Sequence, residues 1–236
     1  MHLTHAHKLP VDGGPLYAET NMDWLFMEPW NAISSLAFLI PVIYWFLKIR
    51  GRHKEYSFLT LCMALLFIGG LGSTFYHAFR TSPYLLMMDV LPIQLLTLLV
   101  SMYLWLKVLR RWYYIIPILF PLLIVKFMTF NYFESFIAVN AAYFVTGTMI
   151  FFPALILLVQ TNFENSKMLI LGMVFFVLSL LCRYIDHQIT FLLPMGSHWL
   201  WHVFGAIGSG YLGAYLYGIA HLQLSERKFA EIRARR

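Results

Sequence analysis

The chain has 236 residues, 60% of them hydrophobic and only 12% charged, with a formal net charge of +6 and a mean hydropathy of +0.69. Soluble domains carry about a quarter charged residues, so this composition excludes an ordinary soluble domain and makes the lipid bilayer the main solvent. The positive balance does not indicate nucleic-acid binding, because the basic residues lie in short segments between apolar runs, where they act as topology signals.

Residues 1–29 read as an extracytoplasmic segment. They contain no apolar core of the kind a cleavable signal needs, and His2, His5 and His7 read as part of a terminal tail. The stretch YAETNMDWLFMEPWNAISS brings Glu19, Asn21, Asp23 and Glu28 together before the first apolar run. Oxygen ligands of this type suit Ca2+, although no EF-hand loop is present; a solvated acidic loop or a helix cap explains the same residues.

A membrane-crossing helix needs about 20 apolar residues. Seven runs qualify: 30–47, 56–79, 84–106, 112–130, 135–158, 168–186 and 198–222. The expected fold is an all-α, seven-transmembrane-helix bundle over 30–222, followed by a basic tail at 223–236. Lys48, Arg50, Arg52 and Lys54 follow the first run, and Lys107, Arg110 and Arg111 the third. Lys167 follows the fifth run, and five more basic residues follow the seventh, so one side of the bundle holds 13 of the 17 Lys and Arg. The positive-inside rule then places the N-terminus outside and the C-terminus in the cytoplasm. Cys62 and Cys182 fall at different depths and are expected to remain unpaired.

Polar residues gather at the outer ends of three runs. Ser73 and His77 are one turn apart near the end of the second, and Asp89 lies under two turns into the third, after the RTSP turn. The seventh opens GSHWLWHVFG, with His198 and His202 four apart and therefore on one helix face. If the second and seventh helices are neighbours, three imidazoles share one depth. Such a set suits zinc, which accepts imidazole nitrogen and, in catalytic sites, keeps three protein ligands and an open position. Asp89 could then move a proton, and Ser73 could orient a ligand or donate to an oxyanion. Taken singly, the His pair reads equally well as interhelical hydrogen bonding, and Ser73 as a small packing residue. An acid inside a span is a functional hypothesis by default. Arg183 and Asp186, three apart at the end of the sixth run, read either as a structural pair or as substrate-binding residues. His53 and His221 lie toward the other face, away from this cluster.

These segments resemble the alkaline ceramidases, part of a wider superfamily of seven-span metal hydrolases that includes adiponectin-receptor-like proteins. The resemblance rests on GSTFYHAF, on Asp89 in MMDVLP, on HWLWH, and on EPWNAISS and YIDH. It implies a zinc-dependent amidase that cleaves ceramide-like lipid amides to a fatty acid and a sphingoid base. His77, His198 and His202 would be the zinc ligands, Asp89 the acid–base group and Ser73 an orienting or oxyanion-stabilising residue. The family's calcium site would map to Glu19, Asn21 and Glu28, although the preceding family Asp is Leu16 here; Asp12 or Asp23 could stand in for it. The rival reading is a receptor or effector of the adiponectin-receptor or haemolysin-III-like branch with a largely structural zinc. A retinal-based pump is excluded by the absence of lysine from 198–222. A repeat-built transporter is disfavoured because the two halves do not resemble each other.

Overall fold

Seven apolar stretches of 19–28 residues are helical and long enough to cross a membrane. The chain is thus a seven-helix bundle of the multi-pass membrane type, as its composition implies. The structure is a computed structural model that describes residues 10–109 and 111–234, without side chains for 135 and 226–234. The tail histidines His2, His5 and His7, and Arg110, lie outside the described residues.

The helices are α1 (Pro29–Ser35), α2 (Leu39–Lys48), α3 (Ser57–Phe79), α4 (Pro83–Leu109), α5 (Ile116–Tyr132), α6 (Ser135–Gln160), α7 (Ser166–Tyr184) and α8 (His198–Ala234). The first span is two helices rather than one. A 3-10 turn at Leu36–Phe38 separates α1 from α2, just before Pro41, which cannot donate to the Ala37 carbonyl and crowds it. The final helix does not stop where the apolar run ends. It continues to Ala234, so the stretch expected as a tail prolongs α8.

Helices α7 and α8 pack along each other, as do α3 and α4, while α6 lies against both α4 and α5. Direct contact between α3 and α8 is slight; α1 packs against both and fills the space between them. The apolar core lies away from the polar end. One cluster joins Val100, Leu104, Ile150, Leu169 and Tyr215 across α4, α6, α7 and α8, and a second joins Trp45, Ile49, Tyr56 and Met63. Large side chains such as Ile40, Phe127, Phe144 and Val177 project outward, as expected of lipid-facing positions. Cys62 and Cys182 are both free.

At the polar end the segment before α1 is anchored by backbone and side-chain bonds. Met27 N–H donates to the Ala78 carbonyl at 2.9 Å, and Ala18 N–H to Asp186 Oδ2 at 2.9 Å. This segment forms a cover over the ends of α3 and α8.

Candidate metal centre

Three helices supply the histidines and their supports. His77 comes from the last turn of α3, and His198 and His202 from the first two turns of α8. All three are buried, with ring centroids 4.8–5.3 Å apart. One nitrogen from each lies within 4.8 Å of the other two, a spacing that could hold a metal ion. Among the described residues this is the one group of three or more His, Cys, Asp or Glu that converges in this way.

The hydrogen bonds around the rings fix their tautomers. His77 Nδ1 meets Oε2 of Glu28. A carboxylate accepts only, so Nδ1 carries the proton and Nε2 keeps its lone pair. His202 Nδ1 lies 2.8 Å from Ser34 Oγ and 3.3 Å from Ser35 Oγ. Both hydroxyls lie within donating distance of the Asn31 carbonyl, at 3.0 and 2.8 Å; with their protons there, they accept from His202 Nδ1, the tautomer that again leaves Nε2 free. This is the arrangement by which metal-binding imidazoles are oriented: a buried acceptor behind the ring and a lone pair in front. His198 is held differently. Tyr17 stacks on its ring at 3.8 Å and 21°, its backbone N–H donates to Asp186 Oδ1 at 2.8 Å, and its Nδ1 is buried without a hydrogen-bond partner among the described residues. Two pre-set lone pairs and one orphaned buried nitrogen are the chemistry that an imidazole-ligated cation satisfies.

Behind His77 stands a charge relay of buried groups. Glu28 Oε1 accepts from Arg80 Nη1 at 2.5 Å and from Thr20 Oγ1 at 2.5 Å, while Oε2 also accepts from Asn31 Nδ2 at 3.3 Å. Burial on its own would raise the Glu28 carboxyl, but His77, Arg80 and Thr20 outweigh it and hold the group below the ordinary carboxylate range. Arg80 is fully buried. It donates to both oxygens of Asp12, at 2.8 and 3.0 Å, and to the Pro15 carbonyl at 2.9 Å. Its backbone is left-handed, φ 44°, a conformation that costs a non-glycine residue roughly 1–2 kcal/mol. The five bonds from its guanidinium hold it there.

Ser73 is buried on α3, and its hydroxyl shares a 3.0 Å hydrogen bond with that of Ser35. Asp89, on α4, is close enough to Ser73 and His77 to interact with both. Gly72 permits this approach, because a Cβ there would overlap the Met88 backbone immediately before Asp89. Asp89, Ser73 and the three histidines line one cavity of about 460 Å3, together with Tyr143, Arg183, Gln94 and Lys126. Phe38, Ile93, Tyr143 and Trp201 also border a second, almost wholly apolar cavity of about 150 Å3 that runs into the core past Leu59, Leu96 and Ile150.

The polar and acidic residues before α1 are met by protein donors. Glu19 caps α1, accepting from the backbone N–H groups of Trp30 at 2.6 Å and Asn31 at 2.9 Å; burial pushes its carboxyl above the ordinary range. Asn21 Oδ1 accepts from Asp23 N–H at 3.0 Å, a local turn. Glu28 faces His77 and Arg80. Glu19, Asn21 and Glu28 therefore each bond to protein donors, and Asp12 is taken by Arg80.

Arg183 and Asp186 do not form the expected pair. Helix α7 ends at Tyr184, so the spacing that aligns residues three apart on a helix does not apply. Asp186 instead accepts three backbone N–H groups, from Ala18, Ser197 and His198. Gly196 makes room for it with φ +70°, where a Cβ would overlap the carboxylate. The Arg183 guanidinium lies 5.3–5.4 Å from the rings of Tyr17, Tyr143 and Trp201. The supports supplied by Ser34 and Ser35 are not evident from sequence; their signal is the spacing in EPWNAISS, where Glu28, Asn31, Ser34 and Ser35 fall on one helical face. No protein-family model matches this chain, and no curated protein matches it.

Proposed function

We propose that the chain is a zinc-dependent intramembrane amidase that hydrolyses the N-acyl bond of ceramide-like lipids, releasing a fatty acid and a sphingoid base. The observation that carries this reading is the convergence of His77, His198 and His202 with Asp89 and Ser73 on one cavity that borders an apolar pocket, the two sharing Phe38, Ile93, Tyr143 and Trp201. An amphiphilic amide needs both parts: a polar reaction zone and a dry channel for its chain. The resemblance of GSTFYHAF, MMDVLP and HWLWH to the alkaline ceramidases supports the same assignment.

His77, His198 and His202 would hold the zinc ion, which when bound polarises a carbonyl and brings a water toward neutral pKa. Glu28 and the Ser34–Ser35 pair keep His77 and His202 in the ligating tautomer. Asp89 accepts the proton of the attacking water and returns it to the nitrogen of the leaving amine. Ser73 donates its hydroxyl proton to the oxyanion that develops on the acyl oxygen. Tyr17 and the segment around it shield the site from bulk water. In this reading Arg80, embedded among Asp12, Glu28 and Thr20, is the resident cation of the corner that the resemblance would give to Ca2+, and hydrolysis needs no added calcium. The distribution of basic residues supports an extracytoplasmic position for the site.

Metal analysis of the detergent-purified chain, paired with hydrolysis of a ceramide with and without a chelator, tests the reading. About one zinc per chain and chelator-sensitive cleavage are expected. Cleavage by metal-free protein overturns the mechanism. Stoichiometric zinc without cleavage of any lipid amide favours the receptor-like alternative.

A further inference from the structure

The mechanism leaves the two cations of the cavity, Lys126 and Arg183, without a task. Lys126 lies within α5, among apolar residues, and lines the same cavity as the three histidines. An ammonium at membrane depth is costly unless it is paired, and is by default functional. The hydrogen-bond partners of Lys126 are neutral, and both accept from it. One is Gln94 Oε1; the other is Thr146 Oγ1 at 2.7 Å, whose own proton goes to the Ala142 carbonyl at 2.9 Å. An ammonium has three donors. One donor and the whole charge therefore have no counterpart among the described residues.

The protein's own acids do not supply one. Asp89, the carboxylate on the cavity wall, stands beside Ser73 and His77, and among the described residues Lys126 forms no ion pair, its hydrogen bonds going to Gln94 and Thr146. Glu28 and Asp12 are matched by Arg80. A second cation lies on the same wall: Arg183 also lines the cavity, its Nη2 donating to Tyr17 Oη at 3.3 Å and its Nε buried without a hydrogen-bond partner among the described residues. Arg183 packs on Tyr143 and Lys126 bonds Thr146, residues three apart on one face of α6. The cavity thus carries two cations against one carboxylate before any metal is counted.

We propose that Lys126 is the head-group contact of this cavity and that its ligand is an amphiphile bearing a carboxylate. This rests on the amidase reading only for the identity of the amphiphile. The carboxylate has two sources there: the acidic head of an N-acyl amino acid type of lipid amide, or the fatty acid released by cleavage.

The test measures binding to the full-length chain in detergent, stripped of metal so that neither hydrolysis nor a metal–carboxylate bond contributes. The probes share one acyl chain: N-hexadecanoylglycine, hexadecanoate and the neutral N-hexadecanoylethanolamine. At least one carboxylate should bind about tenfold more tightly than the neutral amide, and the one that does identifies the source. Lys126→Met should bring that ratio to about one, and Lys126→Arg should preserve it. A ratio near one in the wild-type chain, or a ratio that survives Lys126→Met, overturns the proposal. Reductive methylation of wild-type Lys126, followed by mass spectrometry, avoids dependence on the variant's folding. The carboxylate probe should slow modification several-fold and the neutral amide should not; equal rates overturn the proposal. Zinc-dependent cleavage of neutral amides with a ratio of one would remove this inference alone. A Lys126-dependent ratio without any cleavage would remove the amidase reading alone.

Discussion

Glu28 stands between His77 and Arg80: one carboxylate oxygen accepts the Nδ1 proton of the imidazole, and the other accepts from the guanidinium at 2.5 Å. The ring that would ligate a metal is therefore oriented by a residue 49 positions earlier in the chain, itself neutralised by a residue one turn beyond the ring. Supports of this kind are worth about 10–100-fold in metal affinity. Glu28→Gln should weaken zinc binding by about that factor in chelator competition. Arg80→Gln should weaken it in the same direction, by leaving Glu28 and Asp12 as buried carboxylates without their cation. Unchanged zinc affinity in both variants would mean that the relay serves only to dock the N-terminal segment.

The same carboxylate makes stability depend on acid. The folded-state value of Glu28 lies below its ordinary 4.5, because His77, Arg80 and Thr20 outweigh the effect of burial. A depressed folded value gives a stabilising contribution that is complete above the unfolded value and is lost as pH falls through the folded one. Thermal unfolding of metal-free protein should therefore lose Tm more steeply below about pH 4.5 in the wild-type chain than in Glu28→Gln. Parallel curves would assign the acid sensitivity to other groups.

The membrane helices were legible because lipid leaves a chain few options: apolar runs of sufficient length must be helices with internally satisfied backbones. His198 and His202 were legible because a spacing of four puts them on one face of α8, and Asp89 because an acid in a span needs a reason. The supports of the site were not. Ser34 and Ser35 reach His202 across 168 and 167 residues, and they do so because α1 fills the gap between α3 and α8, a packing choice that periodicity does not encode. Arg183 and Asp186 misled for a local reason: the three-residue spacing implies a pair only while the helix continues, and α7 ends between them. The backbone N–H groups and guanidinium that meet Glu19 and Glu28 were not legible either, because a sequence displays the oxygens but not what folds against them.

Removal of the central groups should separate binding from chemistry. His202→Ala should lose zinc and activity together. Asp89→Asn should retain zinc and lose at least about 100-fold in kcat, the usual scale of a positioned acid–base group. Ser73→Ala should retain zinc with a smaller loss in kcat and little change in KM, since an oxyanion contact strengthens only in the transition state. Near-normal turnover in Asp89→Asn with zinc bound would reassign the proton transfer.

The apolar cavity beyond Phe38 and Trp201 should set chain length. Leu96 lines it and is only partly buried, so Leu96→Phe adds volume at modest risk to the core, where overpacking typically costs about 1–3 kcal/mol. The variant should cleave short-chain lipid amides at the wild-type rate and lose activity on long-chain ones through KM. An unaltered chain-length profile would place the acyl chain along the outer face of the bundle.

Gly72 and Gly210 offer a matched pair of substitutions on the two helices that carry the histidines. A Cβ at Gly72 would overlap the Met88 carbonyl and push α4 from α3, separating Asp89 from Ser73; a Cβ at Gly210 would meet Pro41 at 3.6 Å, ordinary contact. Backbone atoms cannot rotate aside as side chains do, so Gly72→Ala should destabilise the fold by about 1–3 kcal/mol and reduce kcat even where the protein stays folded. Gly210→Ala should be neutral, or slightly stabilising through the higher helix propensity of alanine. Equal Tm and equal turnover for the two variants would show that the α3–α4 approach at Gly72 does not control the placement of Asp89.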